Sequence, residues 1–257
     1  MKDAYSYPRY CDIAYGWDRS GECDFIEGCV KRYCGGGTRS LLDIACGTGI
    51  HMREFARRGY SVTGIDRSEE MAGYVRHRAR AEGLDMECLC SDMAKFGSDK
   101  RFGCAVCLLD SFRYLISDED VISHLGCVAA ALEAGALYII DMWMPRDDKI
   151  GEWEDISWTR ERDGVRVDAR YIQHGGTFDP VKRTFRDELI FKVKGPDFNS
   201  TLTSLADTKL FLSEDLAGLI RRSGDFDPAG RFYNFDFSGK EVYNKSIRTI
   251  IVLKKRR

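Results

Sequence analysis

Residues 40–49 read Ser-Leu-Leu-Asp-Ile-Ala-Cys-Gly-Thr-Gly, a short apolar strand that runs directly into a turn of small residues. A pattern of helical period follows at once from Ile50. A strand, a small-residue turn and a helix N-terminus form a ligand cradle, because a ligand can lie against the backbone while helical N–H groups point at it. Such cradles lie at the carboxyl ends of strands in open α/β sheets. The stretch therefore predicts an α/β fold with a ligand site at this turn.

The residues after the turn argue against two common phosphate sites. A P-loop needs Lys followed by Ser or Thr after its last glycine, and Ile50 and His51 stand there instead. The dinucleotide fingerprint needs Gly or Ala three positions after its second glycine, and that position is Met52. Asp43, inside the strand end, suits a cationic ligand better than a phosphate. A nicotinamide-dependent oxidoreductase is therefore disfavoured.

Two further acidic residues follow predicted strands. A strand over residues 60–65 ends at Asp66, where an acidic side chain suits two hydrogen bonds to a ribose diol. A strand over residues 86–89 is followed by Cys-Ser-Asp-Met, which places Asp92 at its carboxyl end. Carboxylates at successive strand ends meet at one edge of a parallel sheet, so the sequence predicts that they share one site.

These stretches resemble motifs I, II and III of the class I S-adenosylmethionine-dependent methyltransferases. Motif I has the pattern Asp/Glu-x-Gly-x-Gly-x-Gly; Asp43, Gly47 and Gly49 match it, and Ala45 replaces the first glycine. The resemblance is nearest to small-molecule N-methyltransferases of the glycine N-methyltransferase and sugar N,N-dimethyltransferase type. It implies a doubly wound, Rossmann-like α/β sheet and S-adenosyl-L-methionine as the cofactor.

The resemblance also implies which residues bind the cofactor. Asp92 would accept from the adenine amino group, and the backbone N–H of the next residue would bind a ring nitrogen. The aromatic segment before motif I would supply a Tyr and an Arg to the cofactor carboxylate; alternatively, that segment is a lid over a sheet edge. The implied set is Tyr10, Tyr15, Arg19, Asp43, Ala45, Cys46, Gly47, Gly49, Asp66, Arg67, Met71, Asp92, Met93 and Leu108.

The alternation of strands and helices stops after a fifth strand at residues 136–141. Residues 156–162 and 165–173 flank Asp163-Gly164, a strong hairpin signal, and residues 184–194 and 201–212 continue a strand-like pattern. About 60 residues of sheet are too long for an ordinary connection. We expect residues 151–212 to form an inserted antiparallel β subdomain that covers the substrate site. Residues 1–150 and 213–257 would form the cofactor-binding domain.

Candidate substrate residues follow from this arrangement. They are Tyr114, Trp143, Trp158, Tyr171 and His174, although the aromatics of the insert, Trp158 and Tyr171, could equally pack it onto the main domain. Asp110 could orient a nucleophile or cap the next turn, and His51 and His174 are possible bases. His124 is expected at the surface or in packing. No residue is singled out as the catalytic group.

Composition narrows the function further. The chain has 257 residues, a formal net charge of −2 and 10 cysteines. The charge balance favours neither nucleic acid nor an anionic membrane as a partner. Reduced thiols indicate a cytoplasmic protein, and neither the thiols of the Cys104-x-x-Cys107 pair nor any other group predicts a metal site. A monomer or homo-dimer is expected.

The sequence therefore predicts transfer of a methyl group to a small-molecule amine or hydroxyl. Residues 110–115 follow a predicted strand at residues 102–109. They lack the Pro-Pro that adenine- and cytosine-directed methyltransferases carry at this position. An RNA or protein methyltransferase, and a non-catalytic cofactor-binding regulatory protein, remain as alternatives.

Overall fold

The computed structural model describes residues 3–145, 155–238 and 248–257. Two sheets contain its strands, which are β1 (Ser40–Ile44), β2 (Ser61–Asp66), β3 (Met86–Cys90), β4 (Phe102–Cys107), β5 (Leu132–Trp143), β6 (Asp155–Arg162), β7 (Val165–Asp179), β8 (Thr184–Lys194), β9 (Asn199–Lys209), β10 (Phe226–Tyr233) and β11 (Arg248–Lys255). Its α-helices are α1 (Pro8–Ala14), α2 (Ser20–Cys34), α3 (Ile50–Arg57), α4 (Glu69–Glu82), α5 (Asp118–Ala131) and α6 (Ser213–Ser223).

The larger sheet has the strand order β10-β11-β5-β4-β1-β2-β3 within the described ranges. Its β1 to β5 run parallel, and β11 is antiparallel to both of its neighbours. Every residue of the central strand β4 is buried, as expected when helices cover both faces. The predicted α/β fold with a parallel sheet is therefore confirmed.

Helices lie on both faces of this sheet and form two cores. Phe25, Phe55 and Val75 of α2, α3 and α4 pack on one face. Val121 of α5 and Leu219 of α6 pack on the other. Cys104 belongs to the first core and Cys107 to the second, because residues three apart in a strand point to opposite faces. The two thiols therefore cannot bind one ion together.

The smaller sheet is antiparallel, with the order β6-β7-β8-β9. Asp163 and Gly164 both have positive φ at the β6–β7 turn, as a tight hairpin requires. The fourth strand predicted over residues 201–212 is too long at its end, since β9 stops at Lys209. The apolar Leu210 and Phe211 that extended the pattern are buried in the connection to α6 instead.

The N-terminal segment is broken, as Pro8 and Gly16 predict. A single 3-10 turn, η1 (Ala4–Ser6), precedes α1. Residues of η1 and α1 pack against β7, β8 and β9 in a third core that includes Cys11, Phe191 and Leu202. None of the helices in the described ranges is long and apolar enough to cross a membrane.

Candidate cofactor and acceptor site

A cavity of about 600 Å³ opens at the carboxyl ends of β1 to β4. Turns after these strands form one side of it. The N-terminal segment forms its roof through Tyr5, Cys11 and Tyr15, and β9 closes the far side through residues 204–206. The cavity therefore lies between the two sheets.

The turn after β1 forms the base of the cavity. Ala45, Gly47 and Gly49 all have positive φ, which a non-glycine residue seldom adopts. Ala45 occupies the place of the first motif glycine, so the backbone geometry explains why glycine suits that position. A Cβ on Gly49 would lie 3.0 Å from Val75 Cγ2, which leaves little room for any larger residue.

Asp43 is the next-to-last residue of β1, just before this turn. It is 2% exposed and lines the cavity. Across the described part of the chain, no hydrogen bond to its carboxyl group is recorded. Burial, with a smaller effect from Asp66, raises the pKa of Asp43 to about 8. A buried polar group without a partner is costly, so this carboxyl group is suited to a ligand that enters the cavity.

Asp66 joins the turns after β1 and β2. Its Oδ2 accepts a hydrogen bond from Gly47 N at 2.8 Å, and its Oδ1 accepts one from Ser68 N at 2.9 Å. A carboxylate has about four lone-pair sites, so Asp66, which lines the cavity, keeps further acceptor capacity. Asp66 therefore both fixes the two turns and remains able to bind a ligand.

The third strand-end carboxylate lies in the turn after β3. Asp92 Oδ1 accepts from Ala94 N at 2.8 Å, and Asp92 and Met93 both line the cavity. The carbonyl oxygen of Met93 lies 2.8 Å from His124 Nδ1, and His124 Nε2 lies 2.6 Å from the hydroxyl of Tyr138. These contacts hold the Met93 backbone in place.

His124 is not a surface residue. It is fully buried, and burial lowers its pKa to about 4. The neutral ring therefore donates to Met93 O and accepts from Tyr138. The alternative prediction, that His124 serves in packing, matches its position. Sequence reasoning missed its hydrogen bonds because His124 belongs to α5, whereas Tyr138 belongs to β5 and Met93 to the turn after β3.

Most of the predicted cofactor residues line this cavity. Those that do are Tyr15, Asp43, Ala45, Cys46, Gly47, Asp66, Arg67, Met71, Asp92, Met93 and Leu108. Gly49 lies just beyond it as the N-cap of α3.

Tyr10 and Arg19 do not line the cavity, so their role in cofactor binding stays a prediction. The ring of Tyr10 stacks on Phe198 with ring centroids 4.8 Å apart, because α1 turns it toward the smaller sheet. Arg19 is buried; its Nη1 donates to Glu22 at 2.9 Å and its Nη2 to Tyr15 O at 3.0 Å. Neither side chain reaches the cavity.

His51 lines the cavity. Its Nε2 contacts Glu22, whose other oxygen accepts from Arg19 and from Arg248 at 2.5 Å. Burial lowers the pKa of His51, and Glu22 opposes that shift. With Nε2 engaged by Glu22, His51 is better described as part of a buried charge cluster than as a free base.

Three tyrosines, Tyr5, Tyr15 and Tyr114, also line the cavity. The hydroxyl oxygens of Tyr5 and Tyr114 lie 3.1 Å apart. Burial raises the pKa of Tyr5, Tyr15 and Tyr114, so all three remain protonated at neutral pH. Tyr5 was not singled out from the sequence, although it belongs to the aromatic N-terminal segment. No sequence signal marked Ser204–Ala206 on β9.

Four of the predicted substrate residues lie outside the cavity. Trp143 N donates to Asp110 Oδ1 at 2.8 Å, and Trp158 Nε1 donates to Ala14 O at 2.7 Å. The hydroxyl of Tyr171 bonds to Asp187, and His174 Nε2 contacts Glu188 at 2.9 Å on the rim of the smaller sheet. Only Tyr114 of that set lines the cavity.

Asp110 has a structural role. Its Oδ1 accepts from Trp143 N, and its Oδ2 accepts from Arg113 Nη1 at 2.5 Å. Arg113 is fully buried and also donates to Thr208 Oγ1 at 2.9 Å and to Lys209 O at 3.1 Å. Asp110 therefore helps to join the turn after β4 to β9, and it does not line the cavity.

Comparisons with known proteins agree with this geometry. Residues 41–135 match the family model described as "Methyltransferase domain". The chain is 31% identical over 159 residues to dTDP-3-amino-3,6-dideoxy-alpha-D-glucopyranose N,N-dimethyltransferase of Streptomyces fradiae, covering 62% of this chain and 58% of that protein. It is 30% identical over 128 residues to dTDP-3-amino-3,4,6-trideoxy-alpha-D-glucopyranose N,N-dimethyltransferase of Streptomyces venezuelae, covering 50% and 52%. The chain thus spans about half the length of the curated relatives it matches.

Similarity in structure extends over more of the chain. An S-adenosylmethionine-dependent methyltransferase from Clostridium acetobutylicum ATCC 824 superposes with a TM-score of 0.78 at 19% identity, covering 96% of each chain. Residues 41–135 therefore match a methyltransferase domain, and the chain has the fold of the S-adenosylmethionine-dependent methyltransferases.

Proposed function

We propose that the protein transfers a methyl group from S-adenosyl-L-methionine to a small-molecule amine. The observation that carries this proposal is the buried carboxyl group of Asp43, to which none of the described residues donates a hydrogen bond, in a cavity that Asp66 and Asp92 also line. The curated relatives named above are N,N-dimethyltransferases of amino sugars, which supports an amine as the acceptor. A solved neighbour, an amino pentose methyltransferase, has the cofactor bound.

The residues present fit the cofactor. Asp66 would hold the ribose hydroxyls, Asp92 the adenine amino group, and the backbone N–H of Met93 a ring nitrogen. Asp43 would stabilise the positive charge of the ligand from below the turn. The cofactor supplies an already activated methyl group, so the protein mainly has to align the acceptor. Proximity and orientation of this kind can lower a barrier by roughly 7–11 kcal/mol.

The acceptor side of the cavity favours an amine over a hydroxyl. A neutral amine presents a lone pair and needs no strong base, whereas a hydroxyl usually has to lose its proton. Tyr5, Tyr15 and Tyr114 have raised pKa values, so they suit hydrogen bonding more than proton removal. His51 is held by Glu22. Tyr5 and Tyr114 would therefore position the acceptor nitrogen.

We also propose that residues 151–212 act as an inserted subdomain that shapes the acceptor pocket. Residues 1–150 and 213–257 would then form the cofactor-binding domain. Support comes from β9, whose Ser204, Leu205 and Ala206 line the same cavity as the strand-end carboxylates. Arg113 fixes the position of β9 through its bonds to Thr208 and Lys209.

Two measurements test the proposal. Titration calorimetry should show binding of S-adenosylmethionine and of its demethylated product, S-adenosylhomocysteine, but not of nicotinamide dinucleotides. Incubation of a metabolite extract with methyl-labelled cofactor should then give labelled small molecules by mass spectrometry. Tight dinucleotide binding would contradict the proposal. Label in RNA or protein, or binding without any transfer, would favour one of the alternative functions.

The protein is proposed to act in the cytoplasm as a monomer or homo-dimer. All ten cysteines are free thiols, as suits a reducing compartment. Light scattering after size exclusion would determine the oligomeric state.

A further inference from the structure

Asp12 of α1 is a buried carboxylate on which three other elements converge. It is fully buried, and its Oδ1 accepts from Arg53 Nη2 of α3 at 2.5 Å. Its Oδ2 accepts from Arg162 Nη2 of β6 at 2.6 Å and from the hydroxyl of Tyr74 of α4 at 3.0 Å. Burial opposes ionisation of Asp12, but Arg53 and Arg162 outweigh it and lower the pKa. The carboxylate is therefore charged and bonded on both oxygens.

One of these partners extends the network to the cofactor turn. Arg53 Nη1 donates to the carbonyl oxygen of Thr48 at 2.8 Å. Thr48 lies between Gly47 and Gly49 and lines the cavity, whereas Asp12, Arg53 and Arg162 do not line it. A continuous set of charge-assisted hydrogen bonds thus runs from β6 of the smaller sheet, through Asp12, to the turn that would hold the cofactor.

The same carboxylate fixes the roof of the cavity. Helix α1 has seven residues, and a helix that short is not stable without tertiary contacts. Cys11 of α1, with Tyr5 before it and Tyr15 after it, lines the cavity. Asp12 lies between these roof residues and anchors the helix that carries them.

We propose that Asp12 is a positioning residue for the cofactor, and that Arg162 of the smaller sheet belongs to the same hydrogen-bond network. Through Arg53 and Thr48, Asp12 holds the turn at residues 47–49 in its binding geometry while it holds the roof above it. The smaller sheet thereby contributes to cofactor affinity without a residue of β6 contacting the ligand. This inference rests on the proposed function, because it takes S-adenosylmethionine and S-adenosylhomocysteine as the ligands.

A matched pair of variants tests the inference. Arg162→Gln removes the bond to Asp12, and Arg170→Gln removes a guanidinium of the same sheet that bonds to Asp155 instead. Both side chains are partly exposed, so both variants should fold. S-adenosylhomocysteine should bind Arg162→Gln at least fivefold more weakly than the wild type. It should bind Arg170→Gln within a factor of two of the wild type, and Arg162→Lys should recover part of the loss.

Asp12→Asn should weaken binding of S-adenosylhomocysteine at least twentyfold, because it removes the charge that pairs both arginines. The double variant Asp12→Asn/Arg162→Gln should bind no more weakly than Asp12→Asn alone, since both changes break one network. If Asp12→Asn does not fold, Arg162→Gln decides the question. Equal affinity of Arg162→Gln and Arg170→Gln would overturn the inference.

Hydrogen exchange separates this inference from the proposed function. In the unliganded chains, the amides of residues 46–50 should exchange faster in Arg162→Gln than in Arg170→Gln. A residue with only a general structural role would lower the unfolding temperature without this local change. If the wild type bound no S-adenosylhomocysteine, the proposed function would fail. The exchange rates would then still support or overturn the role of Asp12.

Discussion

Asp43 and Asp66 lie at the carboxyl ends of neighbouring strands, but their carboxyl groups have different surroundings. Asp66 accepts two backbone hydrogen bonds, whereas none is recorded for Asp43 in the part of the chain that the structure describes. The motif pattern places both residues at the site. The motif pattern does not show which of the two carboxyl groups accepts hydrogen bonds from the described residues. That depends on how the turns fold around each strand end.

The raised pKa of Asp43 predicts pH-dependent binding. With a pKa of about 8 in the empty cavity, Asp43 is mainly neutral at pH 7. A cationic ligand favours the ionised form, so binding releases a proton. Affinity for S-adenosylmethionine should therefore rise between about pH 6 and pH 8 and then level off. Calorimetry across this range would measure it, and Asp43→Asn should lose the dependence. The same slope in Asp43→Asn would contradict the assignment.

Replacement of Asp66 should weaken cofactor binding. Two bonds to ribose hydroxyls would be lost in Asp66→Ala, at a cost of about 2–4 kcal/mol, because bonds to charged groups contribute ~1.5–3 kcal/mol each and are not additive. From the motif alone we would expect unchanged stability without ligand. Because Asp66 accepts hydrogen bonds from Gly47 N and Ser68 N, we instead expect Asp66→Ala to lower the free energy of unfolding by about 1–3 kcal/mol.

Calorimetry and urea unfolding of Asp66→Ala would check both values. Asp66→Asn, which keeps one acceptor oxygen, is the control. It should lose less cofactor affinity and less stability than Asp66→Ala. An affinity of Asp66→Ala within threefold of the wild type would show that Asp66 does not bind the ligand.

At the scale of elements, local signals predicted most of the fold. Strand β8 has the bounds, residues 184–194, that its alternating pattern predicts, because that signal lies within a few consecutive residues. Contacts between elements were not predictable in this way. Trp158 points to Ala14 and not into the cavity, and those residues are 144 positions apart. Which neighbour a strand side chain meets is decided by tertiary packing.

Strand β9 offers a test of the acceptor side. Ala206→Trp would place a large ring in the cavity beside Ser204 and Leu205. We expect methyl transfer to fall by at least a hundredfold, since small displacements of a bound acceptor already lower rates strongly, while affinity for S-adenosylhomocysteine changes less than threefold. Thr201→Trp, at an exposed position of the same strand, is the control. Loss of cofactor binding in Ala206→Trp would show that β9 borders the cofactor instead.

At the scale of the whole molecule, His124 should link stability to pH. Its pKa falls from 6.5 to about 4 on folding, so the unfolded chain binds the proton more tightly. The contribution of neutral His124 to the free energy of unfolding should therefore be fully present above about pH 6.5. It should decrease as the pH falls, by about 3 kcal/mol at pH 4. His51, whose pKa is also lowered, contributes in the same direction.

Urea unfolding of the wild type and His124→Gln at several pH values would measure this effect. The glutamine amide can still donate to Met93 O, so the variant should fold. The difference in stability between the two proteins should shrink as the pH falls from 6.5 to 4. A constant difference would show that His124 does not titrate in this range.

The position of β11 bears on how the chain folds during synthesis. In chain order β11 follows β5 and β10, yet in the sheet it lies between them. While the ribosome has translated only as far as β10, β5 pairs with β4 on one side, but its other edge lacks β11. Strand β10 lacks the same partner. Unpaired strand edges favour aggregation, so a nascent chain halted there would need protection by a chaperone. Pairing of the larger sheet can be completed only after residues 248–255, which form β11, have left the ribosomal exit tunnel.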